Sequence, residues 1–335
     1  MRKVASLAAL LAALVLLICA LEYLRKGTVV FPTTANMRNL LQWIGLFGIL
    51  SLGQAFVIVT GGIDLAVGSV VCLTGISAAM LFPKFGAMGI PTGVTALFVL
   101  AIAATIGLWH GILVAKVRMQ PFVVTLCGLF FYRGIARYVA EDRSQGFKNE
   151  YTAWRWLGNG YIPDQSTGLV PIAFIIFIVL ASLVGAFLHF TAPGRHLFAL
   201  GANEEGARFS GIDTGRLKIF AYTMCGLFAG IGGLLFAFKV NSVGPSEFGS
   251  FFELYAIAGV VLGGCSLRGG SGNILGVVIG VAIMRILENM VILLDIPSEL
   301  TYIVIGGAIL TGVLVDELLS RQPRRERHRQ PVSAN

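Results

Sequence analysis

Residues 201–212, GANEEGARFSGI, form a polar island between two apolar runs, 169–190 and 218–239. Each run has about the 20 residues that an α-helix needs to cross the hydrocarbon core of a bilayer. The island carries charged side chains and must emerge into water between two spans. This alternation decides the fold class, because a chain that repeatedly enters lipid has to satisfy its backbone polar groups within helices.

The rest of the sequence repeats the pattern. The chain has 335 residues, of which 56% are hydrophobic and 13% charged, and its mean hydropathy is +0.83. A soluble domain carries about 25% charged residues. Ten apolar runs are expected to span the membrane, at about 4–24, 38–60, 66–82, 93–115, 121–140, 169–190, 218–239, 251–267, 273–294 and 298–319. The 42 glycines suit close helix approach within lipid. The expected class is an all-α membrane protein with a single transmembrane domain over 1–320. Residues 321–335 read as a basic cytoplasmic tail without fixed structure.

The first run resembles a secretory leader, but no A-x-A site follows it; Glu22-Tyr23-Leu24-Arg25 does instead, and it is read as the first span. With the N-terminus in the cytoplasm, the inner segments hold 14 of the 25 Lys and Arg, in keeping with positive-inside topology. Ten spans place both termini inside. The net charge of +8 then sits in loops and tail, as a topology signal rather than a nucleic-acid surface. The five cysteines lie in or beside apolar runs and read as reduced packing residues. No cofactor is expected, and no His/Cys/carboxylate cluster has metal-ligand spacing.

Polar residues inside the spans are the candidates for a permeation path. In GGIDLAVGS (61–69) the paired Gly61 and Gly62 break a helix, since Gly costs about 1 kcal/mol relative to Ala in a helix interior. Asp64 then sits where the next helix begins, as a cap accepting backbone N–H bonds. A capped inner turn explains this arrangement, and so does a broken element lining a path. GGCSLRGGS (263–271) repeats G-G-x-x-L-x-x-G-S and adds Gly263 and Gly264. Gln54 and Glu253 are polar groups in apolar surroundings, which belong in the bundle interior or against water. Arg285 and Glu288 are spaced to pair on one helix face, with Asn289 beside them. His110 reads as a bonded core residue or a proton carrier. These groups suit a neutral, hydroxyl-rich solute.

The island itself reads as a short helix around 203–210. Asn203 caps it, Glu204 and Glu205 occupy its first turn, and Gly211 ends it. The chain has no G-x-x-x-x-G-K-[ST] loop. It is therefore not expected to be an enzyme, and any ATP has to be hydrolysed by another subunit. A rigid polar helix between two spans suits docking to such a partner.

Four blocks carry a family resemblance: GQAFVIVTGGIDLAVGS (53–69), GILVAKVRMQPFVVTL (111–126), GRHLFALGANEEGARFSGI (194–212) and FELYAIAGVVLGGCSLRGGSGNILG (252–276). In this order they resemble the ribose-type permease subunits of bacterial ABC importers, within the branched-chain amino acid/ribose permease superfamily. The resemblance covers about residues 35–318. It implies an architecture similar to vitamin-B12-importer permeases, with 191–217 as the coupling loop between spans six and seven. It also implies ATP-binding subunits on the cytoplasmic face, a soluble substrate-binding protein outside, and a second permease copy or paralogue. The expected function is import of a monosaccharide (ribose, xylose, arabinose or galactose-like) across the bacterial inner membrane. The same architecture carrying nucleosides or branched-chain amino acids, and a stand-alone secondary transporter, remain as alternatives. The expected coupling residues are Gly201, Asn203, Glu204, Glu205, Ala207, Ser210 and Gly211. The expected path or gate residues are Gln54, Gly61, Gly62, Asp64, Glu253, Gly263 and Gly264. The sequence departs from the family pattern at His110-Gly111, where Asn-Gly is common, and at Tyr255, where an acidic residue is common.

Overall fold

A computed structural model describes residues 2–148, 150–165, 168–297, 300–307, 310, 311 and 314. The expected tail, 321–335, lies outside the described residues. The chain begins with α1 (Arg2–Lys26), α2 (Thr34–Val59), α3 (Val67–Ala87), α4 (Thr92–Ala115) and α5 (Pro121–Val139). A small region follows: β1 (Gln145–Gly146), α6 (Thr152–Asn159), β2 (Tyr161–Ile162) and β3 (Val170–Pro171). Then come α7 (Ile172–Phe190), α8 (Ala192–Ala202), α9 (Glu204–Phe209), α10 (Thr214–Val240), β4 (Ser242–Val243), α11 (Phe252–Leu262) and α12 (Ile274–Leu293).

Eight of these helices are long and apolar enough to cross a membrane: α1, from Val4 on, and α2, α3, α4, α5, α7, α10 and α12. They answer to the expected spans one to seven and nine. The eighth expected span, 251–267, is shorter than the sequence suggests. Its helix, α11, has 11 residues, which at 1.5 Å per residue cover about half a bilayer. Gly263 caps α11, and Gly264, at φ 81°, turns the chain away. Before α11 the chain folds back beside α3: Phe248 lies against Gly75, and the Gly249 carbonyl against Gly68. Of the tenth expected span, 301–307 are helical and much of the remainder lies outside the described residues.

The core is a layered helix bundle around α2, which is buried from Ile44 to Val59. Helix α10 packs against α2, α3 and α4. Its contact with α4 includes two facing glycines: a Cβ on Gly107 would enter the backbone at Tyr222 and Gly226, and one on Gly226 would enter it at Ala103 and Gly107. Small residues let helices meet without a hydrophobic driving force in lipid. Helix α1 lies at the periphery against α12 and exposes most of its apolar surface. Its buried Glu22 is satisfied by the N–H groups of Phe31 and Val30.

Two antiparallel pairs tie connections together at one end of the bundle. Gln145 faces Val243 and Gly146 faces Ser242; Tyr161 faces Pro171 and Ile162 faces Val170. The island, the 60–66 turn and the 263–273 turn gather at the opposite end.

Candidate functional site

The island is a run of capped helices with no slack between them. Thr191 Oγ1 accepts the Gly194 N–H at 3.2 Å and starts α8. Asn203 ends α8 and caps α9, its Oδ1 accepting the Gly206 N–H at 2.9 Å. Ser210 closes α9 and Gly211 follows at φ 80°. The bonds Gly211 N–H to Arg208 C=O (3.0 Å) and Ile212 N–H to Ala207 C=O (3.1 Å) make this a Schellman ending. Asp213 then caps α10 through the Arg216 N–H at 3.0 Å. Lys218 of α10 binds both carboxylate oxygens of Glu204 at 2.6 and 2.7 Å.

The seven expected coupling residues fall into two groups. Gly201, Asn203, Glu204, Ala207, Ser210 and Gly211 make the frame: they pack, cap, pair or turn. Glu205 is exposed and has no such task among the described residues, and its neighbours Arg208 and Phe209, which were not among the expected residues, are exposed beside it. Phe209 is 83% exposed and lies 5.8 Å from the Arg208 guanidinium. The exposed aromatic in a polar loop was the available signal.

Gly201 touches the ends of two other elements. A Cβ there would strike the Val59 carbonyl at the end of α2 and the Gly270 N–H in the turn before α12. That same Gly270 N–H donates to the Val59 carbonyl at 2.9 Å. The island, the 60–66 turn and the 263–273 turn therefore share one backbone-to-backbone junction.

The two turns are built alike. After α2, Gly61 (φ 81°) and Gly62 bond back to Ile58 and Val57 at 2.9 and 3.1 Å. After α11, Gly264 (φ 81°) and Cys265 bond back to Val261 and Val260 at 2.8 and 3.2 Å. The left-handed glycines are Gly61 and Gly264, so the structural equivalence is offset by one residue from the sequence repeat, which aligns Gly61 with Gly263. Cys265 is buried in this turn, in keeping with packing rather than reactivity.

Of the expected path residues, Gln54, Gly61, Gly62 and Asp64 come together. The Gln54 amide donates to the Asp64 carbonyl. The Asp64 carboxylate accepts the Ala66 N–H at 2.8 Å; the cap position of α3 is Ala66, two residues beyond the expected cap. Asp64 Oδ2 lies 3.6 Å from His110 Nδ1, and both side chains are buried. The His110 ring also lies 5.5 Å from Tyr132. Glu253 is buried at the start of α11 against Gly68 of α3, where a Cβ would meet its carboxylate. Two helix N-termini, neither with a side-chain cap, thus adjoin this carboxylate, a placement that the helix dipole favours. Gly263 packs on Gly276 and Gly280 of α12. Gly263 and Gly264 belong to the second turn, which meets the first at the junction.

Arg285 pairs with Glu288 as the spacing predicts. Its guanidinium also lies over Phe47 at 4.6 Å and Trp43 at 5.4 Å. Asn289 and Asn36 exchange two amide bonds of 2.8 and 3.1 Å. Among the described residues no group of three His, Cys, Asp or Glu could hold a metal ion.

Residues 36–313 match the family described as "Branched-chain amino acid transport system / permease component". The ribose import permease protein RbsC of Escherichia coli (strain K12) is 38% identical over 290 residues, covering 85% of this chain and 87% of that protein. RbsC of Bacillus subtilis (strain 168) is 34% identical over 287 residues, 85% and 86% of the two chains. The xylose transport system permease protein XylH of Haemophilus influenzae is 31% identical over 342 residues, 85% and 90% of the two chains.

Proposed function

The chain belongs to the branched-chain amino acid transport system / permease component family, and from that premise we propose that it is the membrane-spanning permease of an ATP-driven importer of a monosaccharide. The observation that carries the reading is the junction at Gly201. It joins the end of α8, which runs through Asn203 into the exposed, capped helix α9, to the turns that follow α2 and α11. A partner that pushes on α9 acts, through the shared cap Asn203, on the end of α8, whose backbone is in direct contact with both turns.

On this reading the island faces the cytoplasm and both termini are cytoplasmic, as the charge bias of the sequence asks. ATP-binding subunits dock on Glu205, Arg208 and Phe209. A soluble binding protein delivers solute at the opposite end, and a second copy or paralogue completes the permease. Gln54, Asp64 and Glu253 line or gate the path, and the glycines of the two turns let it change shape. A ligand shifts such an equilibrium only by its difference in affinity for the two states, so ATP binding has to be felt differently by α9 in each. The family description names branched-chain amino acids, whereas the relatives cited above are named for ribose and xylose; a monosaccharide is the better-supported solute.

The test is uptake in proteoliposomes containing the permease, its ATPase and its soluble receptor. ATP-dependent entry of ribose or xylose is expected, with Glu205→Lys abolishing entry while the variant still inserts. Entry of leucine with exclusion of sugars would overturn the solute class. Equal entry without any ATPase would overturn the drive.

A further inference from the structure

The Arg285–Glu288 pair lies in the second half of α12 (Ile274–Leu293), near the level where α2 begins, and is not used by the coupling described above. Glu288 keeps 23% of its side chain exposed, yet it belongs to a helix long and apolar enough to cross a bilayer. An ionised carboxylate facing hydrocarbon is costly and is almost always turned to protein or water. The face in front of Glu288 is therefore turned to water or to a second protein chain, and only the first leaves room for a solute. The floor beside it is aromatic: the buried Arg285 guanidinium lies over Phe47 and Trp43, and Arg285 Nε has no hydrogen-bond partner among the described residues. Tyr255, half-buried on α11, is packed against Phe47 at 5.4 Å and is within electrostatic reach of Arg285, Glu288 and Tyr302. Tyr302 is 59% exposed.

We propose that this recess, formed by Trp43, Tyr255, Arg285, Glu288 and Tyr302, is a binding site for one neutral sugar ring on its way through the permease. The chemistry matches the ligand on both faces. A sugar ring has apolar C–H faces, which aromatic side chains cover, and a rim of hydroxyls, which phenols, a carboxylate and a guanidinium can bond. Arg285 and Glu288 neutralise each other, so the recess offers no net charge to an anionic solute or to a free carboxylate. This inference rests on the monosaccharide reading of the permease for its ligand class, and on neither ATP nor the island.

The experiment is cysteine protection on the full chain in proteoliposomes, with no ATPase present. Cys19 and Cys127, the two cysteines that are not buried, are first replaced by alanine. Tyr255→Cys and Tyr302→Cys are made separately, so that one survives if the other misfolds, with Arg143→Cys as an exposed loop control. A membrane-impermeant thiosulfonate is expected to label one or both recess positions. Ribose or xylose at high concentration should slow that labelling severalfold, leucine should not, and the Arg143→Cys control should be unaffected by either. No labelling at both positions would show that the recess is not aqueous and overturn the proposal. Labelling unaffected by sugars would overturn it too, as would protection by leucine. If the sugars protect but ATP-driven uptake fails in the full complex, the drive is wrong and the site stands.

Discussion

Gly201 occupies a position that admits no side chain. The Val59 carbonyl and the Gly270 N–H fill the place where its Cβ would stand, and neither is the end of a flexible side chain that could swing aside. Substitution has to move backbone. Overpacking of this kind costs about 1–3 kcal/mol. Gly201→Val is therefore expected to lower the thermal midpoint of the purified permease by several degrees, and to reduce uptake more than stability alone accounts for. A midpoint equal to that of the unchanged protein would show that the junction is looser than described. Glu204 is a different case. Its bond with Lys218 is partly exposed, and such pairs contribute about 0–1 kcal/mol. Glu204→Gln should leave the midpoint within a degree or so, and an effect confined to uptake would assign the pair to alignment of α9. At the other end, Arg137 holds the Asp142 carboxyl below its ordinary value. A lowered carboxylate contributes stability at pH above its unfolded value and loses it as pH falls. The small difference between Asp142→Asn and the parent in pH-scanned melting should therefore be present at neutrality and vanish in acid.

At the scale of the element, α9 was legible because its signals are local. A cap residue, two acids in the first turn and a glycine at the left-handed ending lie within nine residues, and each acts on its own backbone. What escaped the sequence is non-local. Nothing near Arg285 announces that Trp43 and Phe47 lie beneath it, since those rings sit on α2. The short α11 was also hidden. Its flanks are apolar enough to look like a full span, but the preceding segment spends them in packing beside α3. The repeat of glycines was visible, but its register was not, because identity of residues does not reveal which glycine takes the positive φ. The division of the island into frame and contact leads to a prediction of its own. Phe209→Ala removes an exposed ring and touches no cap, so helicity and thermal midpoint should be unchanged. Binding of the ATPase should weaken at least several fold in a pull-down or titration. Unchanged binding would move the docking surface off α9.

For the whole molecule, the central assignment is which end faces the cytoplasm. Lys116, Arg118, Arg195, Arg208, Arg216, Lys218 and Arg268 all lie in or beside connections at the island end. The opposite end has its own cations, among them Arg143, Lys148 and Arg155, but spreads them through a longer segment. The bias is a sequence argument about insertion, independent of the packing at Gly201, so the two can disagree. Single cysteines placed at Glu205 and at Arg143, in a chain lacking Cys19 and Cys127, separate them in intact cells. The impermeant reagent should label Arg143→Cys directly and Glu205→Cys only after the membrane is opened. The reverse result would put α9 outside, beyond the reach of any cytoplasmic ATPase. The same capped helix would then have to be a receptor-docking element, with the junction carrying the signal of a loaded receptor to the two turns.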